Sequence, residues 1–225
     1  MTGSIIVVLK ILLLFACFGF IHSFLASNSV KKILIEKLDG LIAFYRLFYV
    51  IFSLLVFYWI YLLLPNSHII IYDLPYPFDF IILIPQFLSL VGILWTLRYF
   101  SVKEFLGVNQ ILRWINKEYN TNELDEKLTL RIKGPYKWCR HPVYFFSIMF
   151  LAFRPEISLS YLTLLACIAA YFYAGSVYEE KKLIERFGQE YINYKNAVPR
   201  IFPYKIFYPY KPGTDNKELA DEGNN

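Results

Sequence analysis

The chain is poor in the features that mark common soluble enzyme sites. It has three cysteines, Cys17, Cys139 and Cys167, widely separated along the sequence. That is too few for a disulfide framework. No CxxC and no Cys/His cluster is present, so no metal site is expected. The ten glycines form neither GxGxxG nor GxxxxGK[ST], which leaves Rossmann and P-loop nucleotide folds without sequence support. Charge is scarce too. Asp, Glu, Lys and Arg make up 18% of the 225 residues, against about 25% in a soluble domain. What fills the chain is apolar: 57% hydrophobic, 20% aromatic, with a mean hydropathy of +0.41. This excludes a disordered chain, a collagen-like chain and a nucleic-acid-binding tail. The length suits one domain, and the composition predicts a protein whose solvent is partly lipid.

The apolar residues come in runs. Ile5 to Phe24 is 20 residues long and broken only by Lys10. Leu41 to Leu64 follows, with 18 uncharged residues after Arg46. Phe80 to Leu97 spans 18 residues and Leu159 to Val177 spans 19. Each is about long enough to cross a ~30 Å hydrocarbon core as a helix. The first is expected to be a span rather than a cleaved signal, which would be shorter and more basic at its start. A shorter run, Pro142 to Phe153, has 12 residues. It is read with Leu159–Val177 as a helical hairpin turning at Arg154–Ser158. The predicted fold is therefore all-α: a polytopic membrane bundle of about five segments with a C-terminal helical hairpin. A three-helix membrane region is expected over 1–100, a region with a polar loop, the helical hairpin and an amphipathic helix over 101–210, and a flexible tail over 211–225. Residues 178–194 place Leu183, Ile184, Phe187, Tyr191 and Tyr194 at helical spacing, which predicts that the last span continues as an amphipathic helix.

Basic residues set the expected orientation. Of 23 Lys and Arg, 21 fall on the alternate segments 31–46, 98–141 and 178–217, and none falls on 65–79. The positive-inside rule then predicts an integral protein of the bacterial inner membrane, N-terminus outside and C-terminus in the cytosol. The net charge of +5 is topology rather than nucleic-acid affinity.

Two polar clusters flank the hairpin at its cytosolic end. One is Gly134-Pro135-Tyr136-Lys137-Trp138-Cys139-Arg140-His141-Pro142-Val143-Tyr144, and the other is Glu179-Glu180. A helix starting at 142 and one ending near 178 bring them together, placing cations and aromatics beside paired carboxylates at the lipid boundary. Each piece has a plainer reading. His141-Pro142 suits a helix start, and Lys137 and Arg140 suit positive-inside anchoring. Glu179-Glu180 suits a solvated face paired with Lys181, Lys182 and Arg186. His22 suits an interfacial position, and Gln86 an interhelical hydrogen bond. Cys139, with only His141 nearby as a base, is not expected to be a nucleophile.

The sequence GPYKWCRHPVY, an apolar hairpin, and then EEKKLIERFGQEYINYKNAVPRIFP resembles the integral-membrane methyltransferase superfamily of isoprenylcysteine carboxyl methyltransferases and phospholipid N-methyltransferases. This resemblance covers 128–203. HSFLAS (22–27), Tyr45-Arg46 and FLGVNQ (105–110) are similar to the branch holding methanethiol S-methyltransferases and NnrU-type membrane proteins. The resemblance implies an S-adenosylmethionine pocket. Leu128, Thr129, Leu130 and Arg131 would line it through their backbone. Tyr136, His141, Pro142 and Tyr144 would surround the cofactor, and Glu179 with Glu180 would face its ammonium. An ammonium and a sulfonium suit carboxylates and aromatic faces. Arg140, His141 and Glu179 are the expected catalytic residues, with Arg140 either neutralising the cofactor carboxylate or anchoring to the backbone. Isoprenylcysteine methyltransferases carry an arginine four residues before the Glu pair, where this chain has Gly175. The expected acceptor is therefore a small thiol or another lipophilic molecule rather than a prenylcysteine carboxylate. The other expected partners are membrane lipids, without nucleic acid. The alternative is a non-catalytic NnrU-like component assisting a respiratory or denitrification enzyme.

Overall fold

Hydrocarbon offers no hydrogen-bond partners, so an apolar run inside it must bond its own backbone and folds as a helix. A computed structural model describes residues 2–120 and 128–210; the tail expected to be flexible lies outside the described residues. Four helical stretches are long and apolar enough to cross a membrane: Gly3–Ala26, Gly40–Leu63, Phe78–Leu97 and Leu159–Phe187. Leu13, Leu54, Trp59 and Phe87 stand exposed on them, a surface that suits lipid and not water. The chain is an all-α polytopic membrane protein.

In chain order the helices are α1 (Thr2–Ala26), α2 (Asn28–Leu38), α3 (Tyr45–Leu63), α4 (Phe78–Ile81), α5 (Leu83–Leu97), α6 (Val102–Leu106), α7 (Val108–Ile115), α8 (Pro142–Ala152), α9 (Leu159–Phe187) and α10 (Gln189–Ala197). The 11 residues of α8 span about 16 Å at 1.5 Å each, roughly half a hydrocarbon core. Two short strands, β1 (Ile70–Asp73) and β2 (Glu156–Ser158), pair antiparallel. Compact units interleave along the chain. One uses described residues at 2–79, 101–120 and 155–167, the other those at 80–100, 128–154 and 168–210.

In the first unit α1 and α3 lie side by side. His22 joins them: its Nδ1 lies 3.0 Å from Ser53 Oγ, and its Nε2 pairs with the Tyr49 hydroxyl. The Tyr45 hydroxyl donates to the Leu25 carbonyl at 2.7 Å. Glu104 organises the segment after α5. It accepts from Arg113 at 2.9 and 3.1 Å and from Asn109 at 2.9 Å. The strand pair corrects one expectation. Residues 156–158 are not simply part of a hairpin turn, because they bond to β1 in the register Ile70↔Ser158, Tyr72↔Ile157, Asp73↔Glu156.

In the second unit α5 packs along α8. Gly92 permits this: a Cβ there would stand 2.4 Å from the Phe146 ring. Gln86 donates to the Phe150 carbonyl at 3.1 Å, the interhelical bond its position suggested. Thr96 is fully buried and satisfies its hydroxyl on the Gly92 carbonyl at 2.9 Å, as a polar group in an apolar helix must. The amphipathic continuation of α9 is interrupted once. Gly188 takes φ +55, a conformation that glycine adopts without steric cost, and separates α9 from α10.

Candidate functional site

The site is built on the start of α8, the second half of α9, and the chain after α10. All of it lies in the second unit. Pro142 opens α8, where its missing N–H costs nothing, and it holds the preceding His141 outside the helical region, at φ −123, ψ 64. The two N–H groups before the helix are tied down. Arg140 N donates to the Pro199 carbonyl and His141 N to the Arg200 carbonyl, each at 2.9 Å. Residues 199–200 thus form a wall beside the helix start.

Glu179 and Glu180 are adjacent in sequence but differ in environment. Glu180 is 2% exposed and is surrounded by cations. Arg140 Nε donates to it at 2.8 Å, and Arg200 donates at 3.1 and 3.2 Å. Lys195 Nζ lies 3.8 Å away and His141 Nε2 3.3 Å. Arg140 is fully engaged, because its Nη1 also donates to the carbonyls of Lys195 and Val198. Glu179, by contrast, keeps 40% of its side chain exposed. It meets His141 Nδ1 at 3.4 Å and the Tyr144 hydroxyl at 3.5 Å.

Three rings form a parallel column beside Glu179. His141 stacks on Tyr144 with centroids 5.3 Å apart, and Tyr144 on Phe172 at 4.6 Å. Phe172, Gly175 and Glu179 recur at helical spacing on α9. A Cβ added at Gly175 would meet one atom outside its own helix, the Tyr144 hydroxyl oxygen at 3.9 Å. Room therefore remains one turn from the open carboxylate.

Burial opposes the His141 proton, but its hydrogen bonds to Glu179 and Glu180 and their charges outweigh that, and its pKa is raised. Burial pushes the Tyr136 phenol up to about 12, against the pull of Arg131. Burial also pushes the Cys139 thiol up to about 12, which leaves it protonated and a poor nucleophile.

The structure brings Arg140, His141, Tyr144, Glu179 and Glu180 together. Pro142 is buried beneath them. Tyr136 lies behind, its carbonyl accepting from the Tyr194 hydroxyl at 2.6 Å. Leu130 packs against Tyr191, Tyr194 and Val198. Arg131 lies over the Phe100 ring at 4.7 Å. Leu128 and Thr129 precede them, half-buried and exposed respectively. Sequence reasoning missed Arg200, Lys195 and Phe172. Nothing local flagged the two cations. Phe172, seven residues before Glu179, shares its helix face and could have been found by that spacing.

A protein of Bradyrhizobium diazoefficiens named methanethiol S-methyltransferase 1 is 30% identical over 206 residues, covering 86% of this chain and 66% of its own length. The chain is similar to the methanethiol S-methyltransferase-like branch. Methanethiol S-methyltransferases of Pseudomonas deceptionensis and Crocosphaera subtropica also match. They are 35% identical over 68 residues and 28% identical over 120 residues. These cover 30% and 52% of this chain, and 26% and 46% of the relatives. The chain spans less than two thirds of the length of each of these relatives. No family model and no solved structure matches it.

Proposed function

We propose that this chain transfers a methyl group from S-adenosylmethionine to a small thiol at the cytosolic face of the bacterial inner membrane. The observation that carries the proposal is the division of labour between two adjacent carboxylates. Glu180 is saturated by Arg140, Arg200, Lys195 and His141, while Glu179 remains open beside an aromatic column. An open carboxylate suits the cofactor's ammonium, and ring faces suit its sulfonium. The donor set therefore fits the group. The bound cofactor supplies an electrophilic methyl carbon.

The chain's own residues position and shield. Arg140 holds Glu180 and the backbone of 195–198, and so fixes the wall against which His141 and Glu179 are set. It is a positioning residue. His141 bridges the two carboxylates and orients Glu179. Tyr144 and Phe172 give an apolar face on which a thiol and a sulfonium can approach without water between them. No ready base is at hand: Tyr136 and Cys139 hold their protons, and both ring nitrogens of His141 are engaged by Glu179 and Glu180. The thiol must arrive as thiolate, having released its proton to water. Glu179, with Tyr144 and Phe172, would hold the cofactor so that its methyl group passes to the thiolate, the new S–C bond replacing its sulfonium–carbon bond and leaving both products neutral at sulfur. Alignment is the main contribution of such a site.

Three further observations support this reading. The space at Gly175 suits a small acceptor. The names of the relatives specify methanethiol. The positive-inside distribution supports a cytosolic position for the polar segments 98–141 and 178–210 of the proposed catalytic region. Calorimetry with purified protein tests it: S-adenosylmethionine should bind the wild type and fail to bind Glu179→Ala. Absence of binding to folded wild-type protein would instead favour a non-catalytic membrane component.

A further inference from the structure

The last described segment, 201–210, lies beyond α10 and forms neither helix nor strand. It nevertheless carries Phe202, Tyr204, Ile206, Phe207 and Tyr208. Phe207 is 90% exposed, Tyr208 83% and Tyr204 76%. These residues are not on a span, so the hydrocarbon core does not account for them. A contiguous exposed apolar patch signals an interaction surface.

The segment is held in place. Tyr210 N donates to the Lys137 carbonyl at 3.0 Å, and Trp138 Nε1 donates to the Ile206 carbonyl at 2.9 Å. Lys205 Nζ donates to the Ala197 carbonyl at 3.2 Å, and the Tyr210 ring meets Tyr194 edge-on at 5.3 Å. The rings are thus presented outward by a tethered backbone. Two features identify what they face. Phe202 meets Phe145 edge-on at 5.9 Å, and Phe145 lies in the first turns of the apolar helix α8, so the patch adjoins the end of an apolar helix. The segments 128–144 and 191–210 contain seven Lys and Arg and no Asp or Glu; Arg140, Arg200 and Lys195 meet Glu180, and Arg131, Lys133, Lys137 and Lys205 leave an excess of positive charge beside the patch. Aromatic rings beside lysines suit the boundary between headgroups and acyl chains, and the positive charge suits anionic lipid.

We propose that residues 201–210 form an interfacial anchor seated in a leaflet containing anionic phospholipid, with Phe207 and Tyr208 at the headgroup–acyl boundary. Its chain runs directly into residues 199–200, which accept the backbone hydrogen bonds of Arg140 and His141. The anchor therefore sets the depth of the site wall in the leaflet. This inference stands apart from methyl transfer, and its test needs no activity.

The full-length chain is reconstituted in lipid nanodiscs containing phosphatidylglycerol. Cys17→Ser and Cys167→Ser leave only the buried Cys139 in the background. Nitroxide labels are then placed at Phe207→Cys, at Tyr208→Cys and, as an exposed polar reference, at Glu190→Cys. Relaxation by oxygen, which concentrates in lipid, is compared with relaxation by a water-soluble nickel complex. The oxygen-to-nickel ratio at 207 and 208 should exceed the reference several-fold. A ratio equal to the reference would overturn the anchor. Protection from both relaxants would also overturn it, and would mark the patch as a contact with protein.

Discussion

Replacing Glu180 by alanine should unfold the protein more easily than replacing its neighbour Glu179, although both are acidic and adjacent. The reason is what each removal leaves behind. Glu180 is 2% exposed and sits between Arg140, itself 7% exposed, and Arg200, 24% exposed. Without it the guanidiniums of Arg140 and Arg200 lose the carboxylate they share. Breaking a buried ion pair in this way costs about 3–5 kcal/mol. For a chain of this size each kcal/mol moves the melting midpoint by roughly 2–4 °C, so a fall of about 6–20 °C is expected. Glu179 is 40% exposed and its contacts are long, at 3.4 and 3.5 Å. Exposed pairs contribute about 0.2–1 kcal/mol, so Glu179→Ala should melt within a few degrees of wild type while losing cofactor affinity. The assay is thermal unfolding in detergent, followed by the signal of the remaining fold. Equal melting losses in the two variants, or a Glu180→Ala midpoint at the wild-type value, would refute the assignment of structural and binding roles to the pair.

Other consequences are testable separately. The raised pKa of His141 means its proton stabilises the fold below its unfolded value near 6.5 and that this contribution is lost as pH rises through the folded value. His141→Gln should flatten that alkaline loss in a melting series, and an unchanged slope would argue against it. Gly175→Leu fills the space beside Tyr144 and should lower turnover of thiol at least tenfold with the melting point kept within a few degrees; full activity would show that acceptors do not use this space. Gly188 has open space around a Cβ but a φ of +55, so Gly188→Ala should destabilise by about 1–3 kcal/mol through backbone strain alone, read by thermal melting. Cys139→Ser should retain methyl transfer, since the buried thiol is not the nucleophile.

Much of the fold was legible because lipid imposes a simple rule: runs of about 20 apolar residues must be helices. The four span-length helices and the brief α8 follow from it. The pairing of β1 with β2 was not legible. It joins residues more than 80 positions apart through backbone bonds that leave no side-chain signature. The break at Gly188 was visible only as one glycine within a helical pattern, which helices often tolerate. In the site, the meeting of Arg140-His141 with Glu179-Glu180 could be argued from the hairpin. Which carboxylate is buried could not, because that depends on Lys195 of α10 and Arg200 beyond it returning to the site. Arg140 shows the same limit. The resemblance allows it either a cofactor carboxylate or a backbone anchor, and its bonds to the carbonyls of Lys195 and Val198 are of the second kind.

The central claim is tested most directly by transfer of a labelled methyl group. Purified protein in lipid nanodiscs receives S-adenosylmethionine labelled at the methyl carbon and a small alkyl thiol, with phosphatidylethanolamine and a prenyl thioether acid as parallel acceptors. The account predicts label in the methylated sulfide alone, at a rate rising with pH as more of the thiol ionises, and none with Glu179→Ala. Label appearing in the lipid or the prenyl acid, or persisting in the sulfide with Glu179→Ala, would contradict it.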